Sequence, residues 1–241
     1  MSFRIGPLRL EAFEQLPKHA RRCVFWEVDP ETACSEYLPD PEFEKEAWLS
    51  MVMLEWGSCG LLATTTATTS DAPDTRDTDT DTCLGYALYA PPRAVPRAQR
   101  LPTGPVSADA VLLTSMGVEA GQNDGLPALL IAQVVDALVR RGVRALEAFG
   151  RTAESSELLD PDRAAHLDPQ LASAVKALGD CSFGTCMISA DFLQDVGFTV
   201  VAAHRYFPRL RLELDKGLGW KAEVEAALER LLEGARLEQP V

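Results

Sequence analysis

The feature that most restricts the fold of this chain is the stretch from Ala108 to Gly150. It opens with an apolar run, Ala110 to Leu113. It then passes through a turn-forming segment, Met116 to Gly125, that holds Gly117, Gly121 and Gly125. A helix-like segment follows, Leu126 to Arg141, and a second short apolar strand, Val143 to Phe149. Strand, glycine-bearing loop, helix and strand form a βαβ-like unit of the kind that cradles a phosphate at its helix N-terminus. In the helix Gln133, Asp136 and Arg140 share one stripe, and nearly every other position is apolar. That pattern predicts a helix lying on a sheet with a thin edge in water. Asp124 is placed to cap it, Pro127 suits its first turn, and Gly142 stops it.

The chain has 241 residues and a 46% hydrophobic content, enough for a full core. Its net charge is −13, from 36 acidic and 23 basic residues. Phosphate-rich surfaces repel such a chain, so neither nucleic acid nor an anionic membrane is expected as a partner. No signal-peptide core stands at the N-terminus and no apolar run is long enough to span a bilayer, so a cytoplasmic location is expected. Six cysteines are present. None forms C-x-x-C, and no histidine pair stands beside them at zinc spacing, so most are expected as small buried side chains. Cys181 and Cys186 are spaced to close a small loop or join a metal site, with unbridged thiols as the default expectation.

The rest of the chain supplies the surrounding elements. Residues 3–9 read as an edge strand that tolerates Pro7, and a short helix follows near Ala12 to Leu16. Asp40 and Pro41 start a helix whose apolar face is predicted as Phe43, Ala47, Trp48, Met51 and Leu54, ending at Gly57. Ser58 to Ala63 and Cys83 to Ala90 read as strands joined by residues 64–82, a Thr- and Asp-rich extension expected to be disordered. Arg93, Arg97 and Arg100 form a basic loop, read either as an attractor of cofactor phosphates or as a solvated surface. Residues 151–185 read as an insertion with helix starts at Asp160 and Asp168. A short helix from Ala190 to Gly197 precedes strands at Phe198 to His204 and Leu210 to Leu214. A C-terminal helix spans residues 217–241. The expected whole is one domain over residues 1–216, and the oligomeric state stays open.

Three places give this order a family likeness. Gln122-Asn-Asp-Gly125-Leu-Pro127 is similar to the Q/R-x-x-G-x-G/A loop of the GNAT superfamily of acyl-CoA N-acyltransferases. The apolar strand Ala108 to Val118 leads into it as that family's fourth strand does. Phe192 to Phe198 resembles its short helix ending in Gly-Phe. The resemblance implies an α+β fold, a GNAT-like mixed, mostly antiparallel twisted sheet with helices on both faces. It also implies acetyl-CoA as co-substrate and transfer of an acetyl group to the amine of a small-molecule or protein acceptor. Met116, Gly117 and Val118 would bond the pantetheine arm, and Gln122, Asn123, Asp124, Gly125, Leu126 and Pro127 would hold the pyrophosphate. Two positions depart from the family pattern: Pro127 lacks an N–H, and Asp124 brings negative charge to the phosphate site. The family's tyrosine position is Leu193. Asp109, early in the fourth strand, and Glu147, mid-strand, are the candidate catalytic carboxylates. Asp109 also reads as a strand-start residue, and Glu147 as the partner of a structural arginine. A catalytically degenerate module that binds acyl-CoA or a protein without turnover is the alternative.

Overall fold

The computed structural model describes residues 3–29, 40–65, 82–119, 125–159, 169, 171–172 and 183–214. One sheet organises them. Its strands are β1 (Phe3–Pro7), β2 (Gly60–Thr65), β3 (Cys83–Ala90), β4 (Ala110–Val118), β5 (Ala145–Arg151), β6 (Ile188–Ser189), β7 (Thr199–Ala202) and β8 (Arg209–Glu213). The order across the sheet is β1-β2-β3-β4-β5-β8-β7, with β6 attached to β5. All pairs are antiparallel except β4 with β5 and β5 with β6. The sheet is thus mixed and mostly antiparallel, as expected, and Pro7 ends an edge strand, where a missing N–H is tolerated.

Helices cover both faces. On one side lie α1 (Lys18–Arg22) and α2 (Pro41–Trp56), and on the other α3 (Leu126–Val139) and α5 (Ala190–Asp195); α4 is the single turn Phe183–Cys186. Because strand side chains alternate, each strand feeds two cores. Leu62, Leu88, Leu112 and Phe149 meet α2, whereas Leu61, Ala87, Leu113 and Leu146 meet α3. From α3, Leu130, Val134 and Leu138 are fully enclosed, each side chain contributing about 1.5–3 kcal/mol by leaving water. The exposed band of α3 is wider than its sequence suggests, since Leu129 and Val139 also face water.

The cap of α2 is as expected: the Asp40 carboxylate accepts from the N–H groups of Glu42 and Phe43, Pro41 fills the first turn, and Gly57 ends the helix at φ 96°. Its buried face is not. Phe43, Met51 and Leu54 are exposed, and Lys45, Trp48, Leu49 and Val52 are buried. The helix carries two apolar stripes, and the inward one is hidden from a periodicity argument because a lysine interrupts it. Lys45 donates to the Cys23 carbonyl and forms a fully buried ion pair with Glu27. The Trp48 indole donates to the Ala94 carbonyl at 2.8 Å. These polar bonds can form only with that side of α2 turned inward. Burial pushes the Glu27 carboxyl above its ordinary range, opposed by the Lys45 charge.

The basic loop after β3 turns out to bind within the protein. Arg97 is buried, donates to the Phe25 carbonyl and stacks over the Phe25 ring at 4.5 Å. Arg93 pairs with Glu55 at 3.6 Å and Arg100 with Asp29 at 3.7 Å. The loop is a brace between segments.

Replacing Lys45 by Met leaves Glu27 buried without its partner. Urea unfolding should show a loss of about 3–5 kcal/mol, largely recovered in the Lys45→Met, Glu27→Leu double variant. Equal losses in the single and double variants would refute the pairing.

Candidate functional site

The central strands part. β4 pairs with β5 only at Ala110–Leu112, against Ala145–Glu147. The register between β3 and β4 shifts at Leu88/Tyr89, with Leu88 opposite Ser115 and Tyr89 opposite Leu113. Thr114 is therefore the extra residue of a bulge, and its hydroxyl donates to the Leu88 carbonyl at 3.0 Å. A bulge bends its strand and adds local twist. This one stands two residues beyond the last β4–β5 pair, so β4 leaves β5 there. Further along, Gly150 and Thr152 donate to Pro208 and Tyr206 on the β8 side, so β6 takes the side of β5 that β4 has left.

The result is a wedge-shaped gap. Residues 113–118 of β4 pair with β3 on one side and, among the described residues, have no partner strand on the side that faces the gap. Amides alternate sides along a strand. Glu119 donates its N–H to Leu84 of β3 at 2.9 Å, so the Gly117 amide also faces β3. The amides of Met116 and Val118 therefore face the gap. Gly117 serves differently. A Cβ on it would stand 2.7 Å from the Tyr86 ring, so only glycine lets that ring pack across the hairpin. Tyr86 is buried, and its phenol is pushed up by burial and stays protonated at neutral pH. Sequence reasoning passed over Tyr86. A glycine inside a strand was the available hint of a close approach, but the partner depends on the register.

α3 points its N-terminus from the far side of the sheet. Gly125 precedes it at φ 96°, a left-handed conformation natural to glycine, and among the described residues no side chain caps the helix. The N–H groups of a helix's first turn have no partners within the helix, and the helix dipole stands behind them. Leu126 is buried, and Pro127 in the same turn offers no donor. Gln122, Asn123 and Asp124 lie outside the described residues, as do residues 66–81, most of the 151–185 insertion and the C-terminal helix.

Both candidate carboxylates join one ion cluster: Glu147 stands opposite Leu112, the last paired residue of β4, and Asp109 immediately precedes the strand, at the other end of the β4–β5 ladder. Glu147 is fully buried. Its oxygens accept from the Ser107 N–H at 3.1 Å, Arg209 at 2.6 Å and Arg211 at 3.1 Å. Arg211 also holds Asp109 through two bonds, 3.1 and 2.9 Å, and reaches Glu213. Burial pushes the Glu147 carboxyl up, but hydrogen bonds from Ser107 and Arg209 outweigh it and hold the group below its ordinary range. Bonding to Arg211 lowers Asp109. A carboxylate whose ionised form is so well held is a weak proton acceptor. The arginines were not evident in advance, because an alternating Arg/Leu strand reads as half solvated. On β8 the leucines face α3, and Arg209 and Arg211 turn to the opposite face, against Glu147.

Two other groups resolve plainly. Leu193 is fully buried, so its position offers no hydroxyl. His204 accepts at Nδ1 from the N–H groups of Tyr206 and Phe207, a turn-holding role.

No family model and no curated protein matches the chain. Its fold is similar to several solved structures. One is the PaiA N-acetyltransferase of Thermoplasma acidophilum in complex with coenzyme A, at 12% identity over 88% of this chain and 99% of that one, TM-score 0.45. Another is an N-acetyltransferase from Staphylococcus aureus, at 13% identity over 89% and 99%, TM-score 0.46. A third is a GNAT-family acetyltransferase from Streptococcus pneumoniae, at 12% identity over 88% and 99%, TM-score 0.44. The chain's own geometry carries the functional reading.

The ion cluster makes stability depend on acid. Asp109 and Glu147 titrate lower in the folded chain than at their unfolded values near about 3.9 and 4.3. The unfolded chain therefore binds more protons in that range. The cluster's contribution is fully present above about pH 5 and is lost as pH falls through the folded values. Urea unfolding between pH 3 and 7 should show this slope, and Glu147→Gln should flatten it. An unchanged slope in the variant would remove Glu147 from the account.

Proposed function

We propose that this chain is an acyl-CoA N-acyltransferase that moves an acetyl group from acetyl-CoA to an amine of a small molecule or protein. The observation that carries the reading is the gap between β4 and β5. A polar strand edge there, at Met116 and Val118, precedes a helix N-terminus that opens at the left-handed Gly125. A pantetheine arm has amides that can complete such an edge. A pyrophosphate suits the N–H groups of the first turn of α3. The donor set fits with one gap, at Pro127.

In this reading the chain supplies position and protection. Acetyl-CoA, when bound, supplies the activated acyl group that the amine attacks directly. Met116 and Val118 hold the arm by backbone bonds, and Gly117 lets Tyr86 close over the strand. Tyr86, whose ring lies over Gly117, is the hydrogen-bond donor assigned to the leaving thiolate. Asp109 and Glu147 are positioning residues, which with Arg209 and Arg211 keep the strands parted at a set place. The strongly acidic chain favours a cationic acceptor.

Calorimetric titration should give micromolar acetyl-CoA binding that weakens with salt. Val118→Pro, which removes a gap-facing N–H and spares the β3 pairing, should weaken it about tenfold, the worth of one hydrogen bond. Absence of binding at millimolar acetyl-CoA would end the proposal. Binding without acetyl transfer to any amine in a broad panel would favour a non-catalytic acyl-CoA module instead.

The roles separate by pH. Tyr86→Phe should lower kcat and leave acetyl-CoA affinity intact. Glu147→Gln should lower stability and acetyl-CoA affinity but keep the acidic limb of the pH–kcat profile. Loss of that limb in Glu147→Gln would make Glu147 the base.

A further inference from the structure

Three metal-competent side chains meet between α1 and α4. His19 and Cys23 stand one turn apart, and the Cys23 N–H bonds to the His19 carbonyl as it closes α1. Spacing of four puts both side chains on the same face. Cys186, the last residue of α4, reaches them from 163 positions away in the sequence. The Cys23 and Cys186 sulfurs are 3.7 Å apart, and the Cys186 sulfur lies 3.8 Å from His19 Nε2. All three donor atoms fall within 4.8 Å of one another.

We propose that His19, Cys23 and Cys186 form a binding site for a divalent, thiophilic cation of the zinc class. Two thiolates at about 2.3 Å from a tetrahedral zinc stand about 3.8 Å apart, and a thiolate and an imidazole nitrogen about 3.6 Å. The two separations that involve Cys186 match these within a few tenths of an ångström, and Cys23 and His19 lie within 4.8 Å of each other. The sulfurs are well beyond the bonding distance of about 2.05 Å that a disulfide requires. Burial as an ordinary core thiol accounts for Cys186 alone. Cys23 is half-buried and His19 exposed, so the set opens to solvent on the His19 side. That opening gives a cation its entry and leaves a fourth position for water.

The surroundings support the donors. Thr185 Oγ1 lies 3.7 Å from the Cys186 sulfur, and the buried Lys45 ammonium bonds the Cys23 carbonyl at 3.0 Å, fixing that end of α1. A bound cation would tie α1, near the start of the chain, to the turn before β6. Both segments pack on the α2 side of the sheet. The proposal rests on these three side chains alone and does not use the acetyl-CoA reading.

The test uses the full chain, purified under reducing conditions and stripped of metal, titrated with Co²⁺ as an optical probe and then with Zn²⁺. One Co²⁺ per chain should bind, with thiolate-to-cobalt charge-transfer absorption that Zn²⁺ displaces, and Zn²⁺ should raise the melting temperature. His19→Ala alters an exposed side chain and should leave the circular dichroism unchanged. It should weaken Co²⁺ binding by about a hundredfold or more, beyond the loss from an outer partner. Cys23→Ser should abolish the charge-transfer band. A band that is absent in the wild type, or of equal affinity in His19→Ala, would overturn the proposal. So would mass spectrometry showing Cys23 and Cys186 as a stable disulfide in the reduced preparation.

Discussion

The structure turns on the place where β4 stops pairing with β5. Up to Leu112 and Glu147 the two strands share a parallel ladder. Beyond it the Thr114 bulge bends β4 towards β3, and β6 fills the vacated side of β5. An unpaired strand edge inside a sheet is costly unless something bonds to it. Its survival in a chain with two well-filled cores is the physical reason to look for a ligand there.

The ion cluster holds that branch point. Glu147 is fully enclosed, and taking a carboxylate out of water costs several kcal/mol unless its oxygens are bonded. Ser107, Arg209 and Arg211 bond both oxygens, and Arg211 ties in Asp109 at the start of β4. The loop before β4, the strand β5 and the strand β8 are thereby pinned at one level. A second buried pair, Lys45 with Glu27, performs the same service on the α2 face, where it orients the helix and anchors the end of α1. Two buried polar clusters thus fix register and orientation, and the apolar cores supply the bulk of the stability.

Local chemistry was legible wherever one residue settles a local choice. Asp40, Pro41 and Gly57 bound their helix as read, β3 runs from Cys83 to Ala90, and Gly197 stops α5 at φ 98°. The order of elements was legible too, because apolar periodicity and glycine punctuation survive in any tertiary setting. Misreadings came where two readings share one pattern. On α2 a lysine concealed the inward stripe, and on β8 the alternation gave a strand without saying which residues its arginines meet. The basic loop after β3 read either as a phosphate attractor or as a solvated surface, yet Arg97 is buried against the Phe25 carbonyl.

The sequence by itself determined most of the described elements, α1, α4 and β6 excepted, their order, and the βαβ-like unit at whose helix start a phosphate could sit, because caps, turns and periodicity are local. It also named Glu147 as a mid-strand carboxylate needing a partner. Only the tertiary structure decided the contacts. Tyr86 meets Gly117 through a strand register, Arg209 and Arg211 meet Glu147 across β5 and β8, and His19 and Cys23 meet Cys186 across nearly the whole chain. Each depends on which distant residues share a face, and that follows from long-range pairing, which no local pattern encodes.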